Sequence, residues 1–415
     1  GKKMNIFFVI IISALVLDYC LSFLVRALNV RSLDPNLPEE FSDVYDENKY
    51  SKSQSYTKDK ESFSHVTSTF SFLLSLSIIF FGLYDIADQF VRGFGYGEVV
   101  NGLLFFGLLM VLSDIITLPF SLYNNFVIEK RYGFNKMTLS TFFVDKLKGY
   151  FLSALIGAPV VALLLYFFES FGELAWLYAW GLMAVFTLAM QPLFNLFIAP
   201  MFNKFTPLEE GPLLTKISEY LKKVDFPVAK LEVMDGSKRT SHSNAYFSGL
   251  GKNKRIALFD TLLESQSDDE IVSVIAHEVG HYKLKHIQKG IVASLAQTGV
   301  TFFIMSLFIK NQMLFDVFKM QDLSVYGSLI FFSMLYSPIS MVLGFVFSYI
   351  SRKNEFEADK YSADTTGHPE HLVSSLKKLS ADNLGNLTPH WLNVLLNYSH
   401  PPVLDRISTL RSLKS

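Results

Sequence analysis

Long apolar runs set the terms for this chain, because a stretch of about 20 apolar residues fits a membrane span far better than a soluble core helix. About seven stretches reach that length, near residues 5–27, 66–88, 99–123, 149–169, 174–198, 289–309 and 325–350. Half of the 415 residues are hydrophobic, 18% are charged and mean hydropathy is +0.30, so lipid is expected to be the main solvent. In lipid the backbone must satisfy its own hydrogen bonds within each segment, which makes these runs helices. Lys2 and Lys3 precede the first run in the manner of a secretory leader. That run is long, carries Asp18 and Arg26 and is followed by no small-residue cleavage pattern, so it is read as a retained helix.

Two exclusions follow from composition. The formal net charge of -1 gives no basic surplus with which to bind nucleic acid. The single cysteine, Cys20, allows neither an internal disulfide nor a thiolate metal site. Any metal must use His and carboxylate ligands.

Between the apolar runs lie polar segments. Arg31 to Ser64 is expected to be a surface loop with at most a short helix, and Asn124 to Lys148 a basic loop. The expected division is 1–199 with membrane helices one to five, 200–288 as a soluble insertion, 289–350 with helices six and seven, and 351–415 as a second soluble portion. Inside the insertion, Pro212 to Val224 has helical periodicity, while Ala229 to Met234, Asn244 to Ser248 and Arg255 to Phe259 read as short strands of a small sheet. Ser267-Asp268-Asp269-Glu270 has the spacing of a capping box and predicts the start of another helix.

That helix carries His277-Glu278-Val279-Gly280-His281. Residues i and i+4 share a helical face, so both imidazoles can reach one metal ion while Glu278 can reach a water beside it. This is the zincin pattern. A hydrolytic zinc takes three protein ligands and keeps a fourth position open. Two membrane crossings separate the insertion from the C-terminal portion and return the chain to the same side, where Glu355 and Asp359 share a helical face. Glu355 is assigned as the third ligand. Glu357 is turned roughly 200° from it. Asp359 is expected either to accept the N–H of a ligand histidine or to donate a proton in turnover.

Several separate stretches then carry a resemblance. Lys130-Arg131-Tyr132-Gly133-Phe134-Asn135, Ser241 to Phe247, Lys254 to Leu262, His277 to His281, Glu355 to Asp359 and Tyr398-Ser399-His400-Pro401-Pro402 lie in the order found in the type I CAAX prenyl proteases. The chain resembles that family over nearly its whole length. The resemblance implies a mostly α protein of seven transmembrane helices enclosing a chamber, with a zincin-like soluble catalytic portion containing a small β-sheet. It also implies one zinc ion per chain on His277, His281 and Glu355, with Glu278 as catalytic base.

In the expected mechanism zinc acidifies its water and polarises the scissile carbonyl, and Glu278 passes the proton to the leaving amine. His400 is the candidate donor to the oxyanion, with Arg406 as a supporting charge. His242 and Asn244 are expected to contact an extended substrate added at a strand edge. The bland alternatives are a surface His pair for the zincin motif, a solvated helical face for Glu355 and Asp359, a helix-start residue for His400, and turn polar groups for His242 and Asn244.

His286, five residues past His281, is expected off the ligand face at the membrane boundary. His65, His368, His371 and His390 are read as surface groups. Asp18, Asp85, Asp88 and Asp114 fall in or beside apolar runs, where each must face a partner or water, and no transport role is assigned.

The expected partners are a peptide or protein substrate, prenylated or not, and the lipid bilayer, with no nucleic acid and the chain acting as a monomer. Basic residues in 124–148 place the catalytic side in the cytoplasm, against which Lys2 and Lys3 count mildly. Composition favours a bacterial inner membrane, with the endoplasmic reticulum as the eukaryotic alternative. Two competing functions stand beside the prenyl protease: a bacterial quality-control metalloprotease for membrane proteins, and a seven-helix transporter or receptor with an incidental zinc site.

Overall fold

A computed structural model describes residues 3–413; Lys2 lies outside the described residues. At the first two long helices a side chain satisfies free backbone N–H groups. Asn5 caps α1 (Ile6–Arg31), accepting from Phe7 and Phe8, and Asp46 caps α2 (Glu47–Phe80), accepting from Lys49. A break at Gly82 leads into α3 (Leu83–Arg92), followed by α4 (Glu98–Tyr123), α5 (Leu139–Leu152), α6 (Ala158–Ser170), α7 (Ala175–Leu193) and α8 (Ala199–Phe202). Short π-helical turns continue α4 through Asn124–Glu129, join α5 to α6 at Ser153–Gly157 and join α7 to α8 at Phe194–Ile198.

The segment after α8 comprises β1 (Phe205–Pro207), α9 (Pro212–Lys223), β2 (Lys230–Met234), β3 (Ala245–Ser248), β4 (Arg255–Phe259), α10 (Asp260–Ser265) and α11 (Asp268–Lys283). Then come α12 (His286–Ser306), α13 (Gln312–Val317), the long α14 (Val325–Thr366), α15 (Pro369–Asp382), α16 (Trp391–Asn397) and α17 (Val403–Ser412).

Among the described residues, six helices are long and apolar enough to cross a membrane: Ile6–Arg31, Glu47–Phe80, Glu98–Glu129, Leu139–Ser170, Gly172–Phe202 and Val325–Thr366. The expected seventh, α12, forms a helix of 21 residues but falls outside that set. Its Gln288, Lys289, Gln297 and Thr298 dilute the apolar run. Two further expectations are corrected. Arg31 to Ser64 is no free loop, since α2 starts at Glu47 and Phe41, Tyr45 and Tyr50 bury against Leu372, Leu376 and Leu410 of the C-terminal portion. The run 66–88 is two helices, broken at Gly82.

Carboxylates in the apolar regions have found partners. Asp88 accepts from Arg92 Nε at 3.0 Å and from the Tyr326 hydroxyl, Asp85 accepts from Gln321, and Asp114 accepts from Lys146 Nζ at 2.7 Å. Asp18 is exposed. Each paired acid is thus a local structural bond, which accounts for it without an ion path.

The sheet has strand order β1-β2-β4-β3. β4 pairs parallel with β2 (Leu231 opposite Ile256) and antiparallel with β3 (Phe247 opposite Ile256). Ile256, Ala257 and Leu258 are fully buried, as a central strand requires. The turn between β3 and β4 depends on Gly249 at φ +92, where a Cβ would stand 2.1 Å from the Asn253 carbonyl oxygen. β3 is an edge strand, with one side left unpaired. The opposite face of β4 packs on Ile271, Ile275, Ala276 and Val279 of α11, so the sheet and the motif helix share one core.

Candidate active site

Both halves of the predicted capping box form: Glu270 N–H donates to Ser267 Oγ, and Ser267 N–H donates to Glu270 Oε2 at 3.0 Å. The helix so started buries its apolar stripe on the sheet and turns its other face, with Ser273, His277 and Gly280, towards α14. There Ser362 Oγ donates to the Ser273 carbonyl at 2.8 Å, and Gly280 lets Tyr361 approach. This contact decides where Glu355 arrives.

His277, His281 and Glu355 converge. His277 Nε2 lies 3.2 Å from His281 Nε2 and 3.2 Å from Glu355 Oε2, and His281 Nε2 lies 3.2 Å from Glu355 Oε1. Ligand atoms held at about 2.0–2.1 Å in a tetrahedron stand about 3.3–3.4 Å apart, so the spacing suits a small cation. Among the described residues these three form a candidate metal group, and Glu355 Oε2 is buried with no aligned hydrogen-bond donor. Two nitrogens and a carboxylate are a donor set that zinc accepts. The residues fit the metal.

Behind the ligands, Asp359 Oδ1 stands 2.8 Å from His277 Nδ1, a charge contact rather than an aligned hydrogen bond. Arg406 donates to both Asp359 oxygens, at 2.9 and 2.7 Å, and its Nη2 is 3.6 Å from Glu355 Oε2. Burial pushes the His277 pKa down, yet Asp359 and Glu355 outweigh it and raise it to about 9, a place built to favour positive charge. Glu278 is half-buried and makes no hydrogen bond among the described residues, which leaves its carboxylate free to handle a proton. His400 Nε2 lies 3.5 Å from Glu355 Oε1 on an exposed ring whose Nδ1 meets Ser399 Oγ.

Residues 207–414 match the sequence profile of peptidase family M48, and 26–204 match the CAAX prenyl protease N-terminal region with its five membrane helices. The chain belongs to peptidase family M48. It is a membrane metalloprotease. The M48 chain is 35% identical to the CAAX prenyl protease 1 homolog of Mus musculus, over 94% of this chain and 91% of the mouse protein. It is 37% identical to that of Oryza sativa subsp. japonica (92% and 91%) and 34% identical to CAAX prenyl protease 1 of Saccharomyces cerevisiae (91% and 89%). The crystal structure of S. mikatae Ste24p superposes with a TM-score of 0.92 at 31% identity, covering 99% of this chain and 100% of that one.

Contacts in the M48 site bear on four of the residues read from the sequence. Asp359 sits behind His277, with its side chain 2% exposed and tied to Arg406, which suits an acceptor and not a proton donor to substrate. Arg406 is held behind the ligands by the same pair, 3.6 Å from Glu355 Oε2. His242 is committed elsewhere: its ring stacks on Phe134 with centroids 3.8 Å apart, Nε2 meets Glu129 Oε2 at 3.1 Å and Nδ1 meets Asn383 Oδ1 at 3.2 Å. It ties the insertion to two other segments, while Asn244 is exposed at the start of β3, its Oδ1 accepting from the Ala245 N–H at 2.8 Å.

His286 is the fourth. A continuous helix would turn it roughly 140° from His281. Instead Lys285 adopts a left-handed φ of +61, α12 starts afresh, and the buried His286 ring folds back onto His281. His368 is exposed, whereas His65, His371 and His390 are half-buried rather than free surface groups, and all four lie outside the metal group. Arg352 went unread in the sequence. One turn before Glu355, it donates to the carbonyls of Val394 at 2.9 Å and Tyr398 at 2.6 Å, anchoring the segment that carries His400. Its spacing from Glu355 was the available signal.

Proposed function

We propose that the chain is a zinc endopeptidase that removes C-terminal residues from prenylated proteins or peptides. The observation that carries this reading is the convergence of His277, His281 and Glu355 at 3.2 Å spacing beside the uncommitted Glu278. Those three residues would hold the zinc ion, which when bound supplies a Lewis acid for the scissile carbonyl and the attacking water.

The protein's own groups do the rest. Glu278 takes the proton from the attacking water and returns it to the leaving amine, so no covalent intermediate forms. His400, exposed and within 3.5 Å of a ligand oxygen, donates to the oxyanion. The free edge of β3 holds the peptide by main-chain hydrogen bonds, with Asn244 at its start. Asp359 and Arg406 keep the ligands in place from behind, and His242 keeps the strand in place.

Relatives in animals, plants and yeast favour prenylated substrates and an endoplasmic reticulum membrane over the bacterial quality-control reading and the bacterial inner membrane that composition suggests. The basic loop after α4 supports a cytoplasmic catalytic side.

The test is cleavage of a farnesylated C-terminal peptide beside its unprenylated twin in detergent, with product masses. Cleavage of the farnesylated peptide that stops on chelation is expected; equal cutting of both would remove prenyl recognition, and failure to cut either by the zinc-loaded protein would overturn the reading.

A further inference from the structure

We infer that His286 and Glu357 are positioning residues that fix the tautomer of His281 through a two-step hydrogen-bond chain; this rests on the metal site proposed above. His286 Nε2 lies 2.8 Å from Glu357 Oε2, and His286 Nδ1 lies 3.1 Å from His281 Nδ1. One proton assignment satisfies both contacts with a neutral His286. A carboxylate only accepts, so His286 Nε2 carries the hydrogen and His286 Nδ1 presents a lone pair. That lone pair must receive a hydrogen from His281 Nδ1. The remaining lone pair of His281 is then on Nε2, the atom 3.2 Å from both His277 Nε2 and Glu355 Oε1.

The two histidine ligands are therefore backed differently. Behind His277 stands a carboxylate directly, Asp359 at 2.8 Å. Behind His281 a whole imidazole intervenes, and the carboxylate that ends the chain reaches solvent: Glu357 is 45% exposed where Asp359 is 2%. The geometry depends on the fresh start of α12, for which Lys285 takes its left-handed turn and His286 is buried to 5%. A surface histidine at the membrane boundary would need neither. Glu357, turned away from the metal group on α14, gains a role for the same reason: its direction away from Glu355 points it at His286.

Partners behind a ligand histidine fix its tautomer and raise its basicity, and their loss costs about 10–100-fold in metal affinity. The test uses the full-length protein in detergent, stripped of metal, with zinc affinity read by competition against a chromophoric chelator. His286→Leu fills the space without an acceptor and is expected to weaken zinc binding about 10–100-fold. In His286→Asn, Oδ1 can occupy the position of Nδ1 and accept from His281, so affinity is expected to return to within about threefold of the parent. Glu357→Ala, a change at a half-exposed position, is expected to give an intermediate loss and to shift the visible absorption of the cobalt-substituted protein.

Wild-type affinity in both His286→Leu and Glu357→Ala overturns the inference. So does an equal loss in His286→Leu and His286→Asn at unchanged melting temperature, which would make the role steric. Failure of the parent protein to bind zinc at all would instead sink the metal site itself.

Discussion

Gly280, inside the motif itself, sets the distance between α11 and α14. A Cβ built there would stand 3.0 Å from Tyr361 Cβ and 3.1 Å from its Cδ1. Carbon atoms rest about 3.5–4.0 Å apart, so Gly280→Ala must push α14 away by about 0.5–1 Å, the obstruction being the root of a side chain rather than its flexible end. Overpacking costs about 1–3 kcal/mol and the better helix propensity of alanine returns about 1 kcal/mol, leaving a net destabilisation of about 0–2 kcal/mol. Fold stability is thus a poor reporter.

The metal site is a sharper one. Tyr361 and Glu355 lie on one helix about 9 Å apart along its axis, so the displacement reaches the carboxylate almost whole. Oxygens now 3.2 Å from the two histidine nitrogens would retreat by more than the ~0.2 Å that metal–ligand distances tolerate. We expect zinc affinity to fall at least about tenfold, or about 1.4 kcal/mol, in a chelator competition. Gly344→Ala is the control, because a Cβ there meets nothing within 4 Å on the same helix. Parental zinc affinity in Gly280→Ala, or an equal loss in Gly344→Ala, refutes the argument.

Other predictions follow from the same geometry. Glu278→Gln should retain zinc and lose peptide cleavage, and substantial turnover in that variant would remove Glu278 as the base. Arg406→Met leaves Asp359 buried without its bidentate partner and should destabilise the protein by about 3–5 kcal/mol, read as a lowered melting temperature, with Arg406→Lys falling between. Stripping the metal from protein held at a thousand times its Kd should cost about 4 kcal/mol of stability, again seen in the melt.

Glu270 gives a pH test. Burial pushes its carboxyl up, but Lys378, donating at 2.9 Å, with the Ser267 N–H and the Ser374 hydroxyl, holds it below the usual range. Its contribution is complete above about pH 4.3 and is lost as pH falls towards the depressed value, so hydrogen-exchange protection of α11, taken relative to the intrinsic exchange rate at each pH, should fall on acidification less in Glu270→Gln than in the parent.

What could be read from sequence alone was whatever is local or forced. The zincin motif and its capping box each occupy a few consecutive residues with fixed helical geometry. Glu355 was within reach because two membrane crossings must return the chain to the same side. Misreadings came where neighbours distant in sequence decide the outcome. Arg31 to Ser64 is polar enough for a loop, yet its tyrosines bury against α15 and α17 and helix α2 already begins at Glu47. His286 was placed by helical periodicity, which a single left-handed residue at Lys285 cancels. Nothing in the residues flanking His242 or Arg406 reveals Glu129, Asn383 or Asp359 across the fold, so neither a substrate contact for His242 nor an oxyanion charge for Arg406 could be weighed against those pairs.

Helix α14 carries a membrane span and a metal ligand on one uninterrupted rod of 42 residues, with Pro338 as its internal proline. From Pro338 to Glu355 the lever is about 26 Å long, so each degree of tilt sweeps the carboxylate through about 0.4–0.5 Å. Most membrane helices answer a thicker or thinner bilayer by leaning. A lean of α14 that α11 did not share would carry Glu355 away from His277 and His281. Because α11 packs on the same stretch of α14, through Ser273 with Ser362 and Gly280 with Tyr361, the two histidines are placed to travel with the carboxylate.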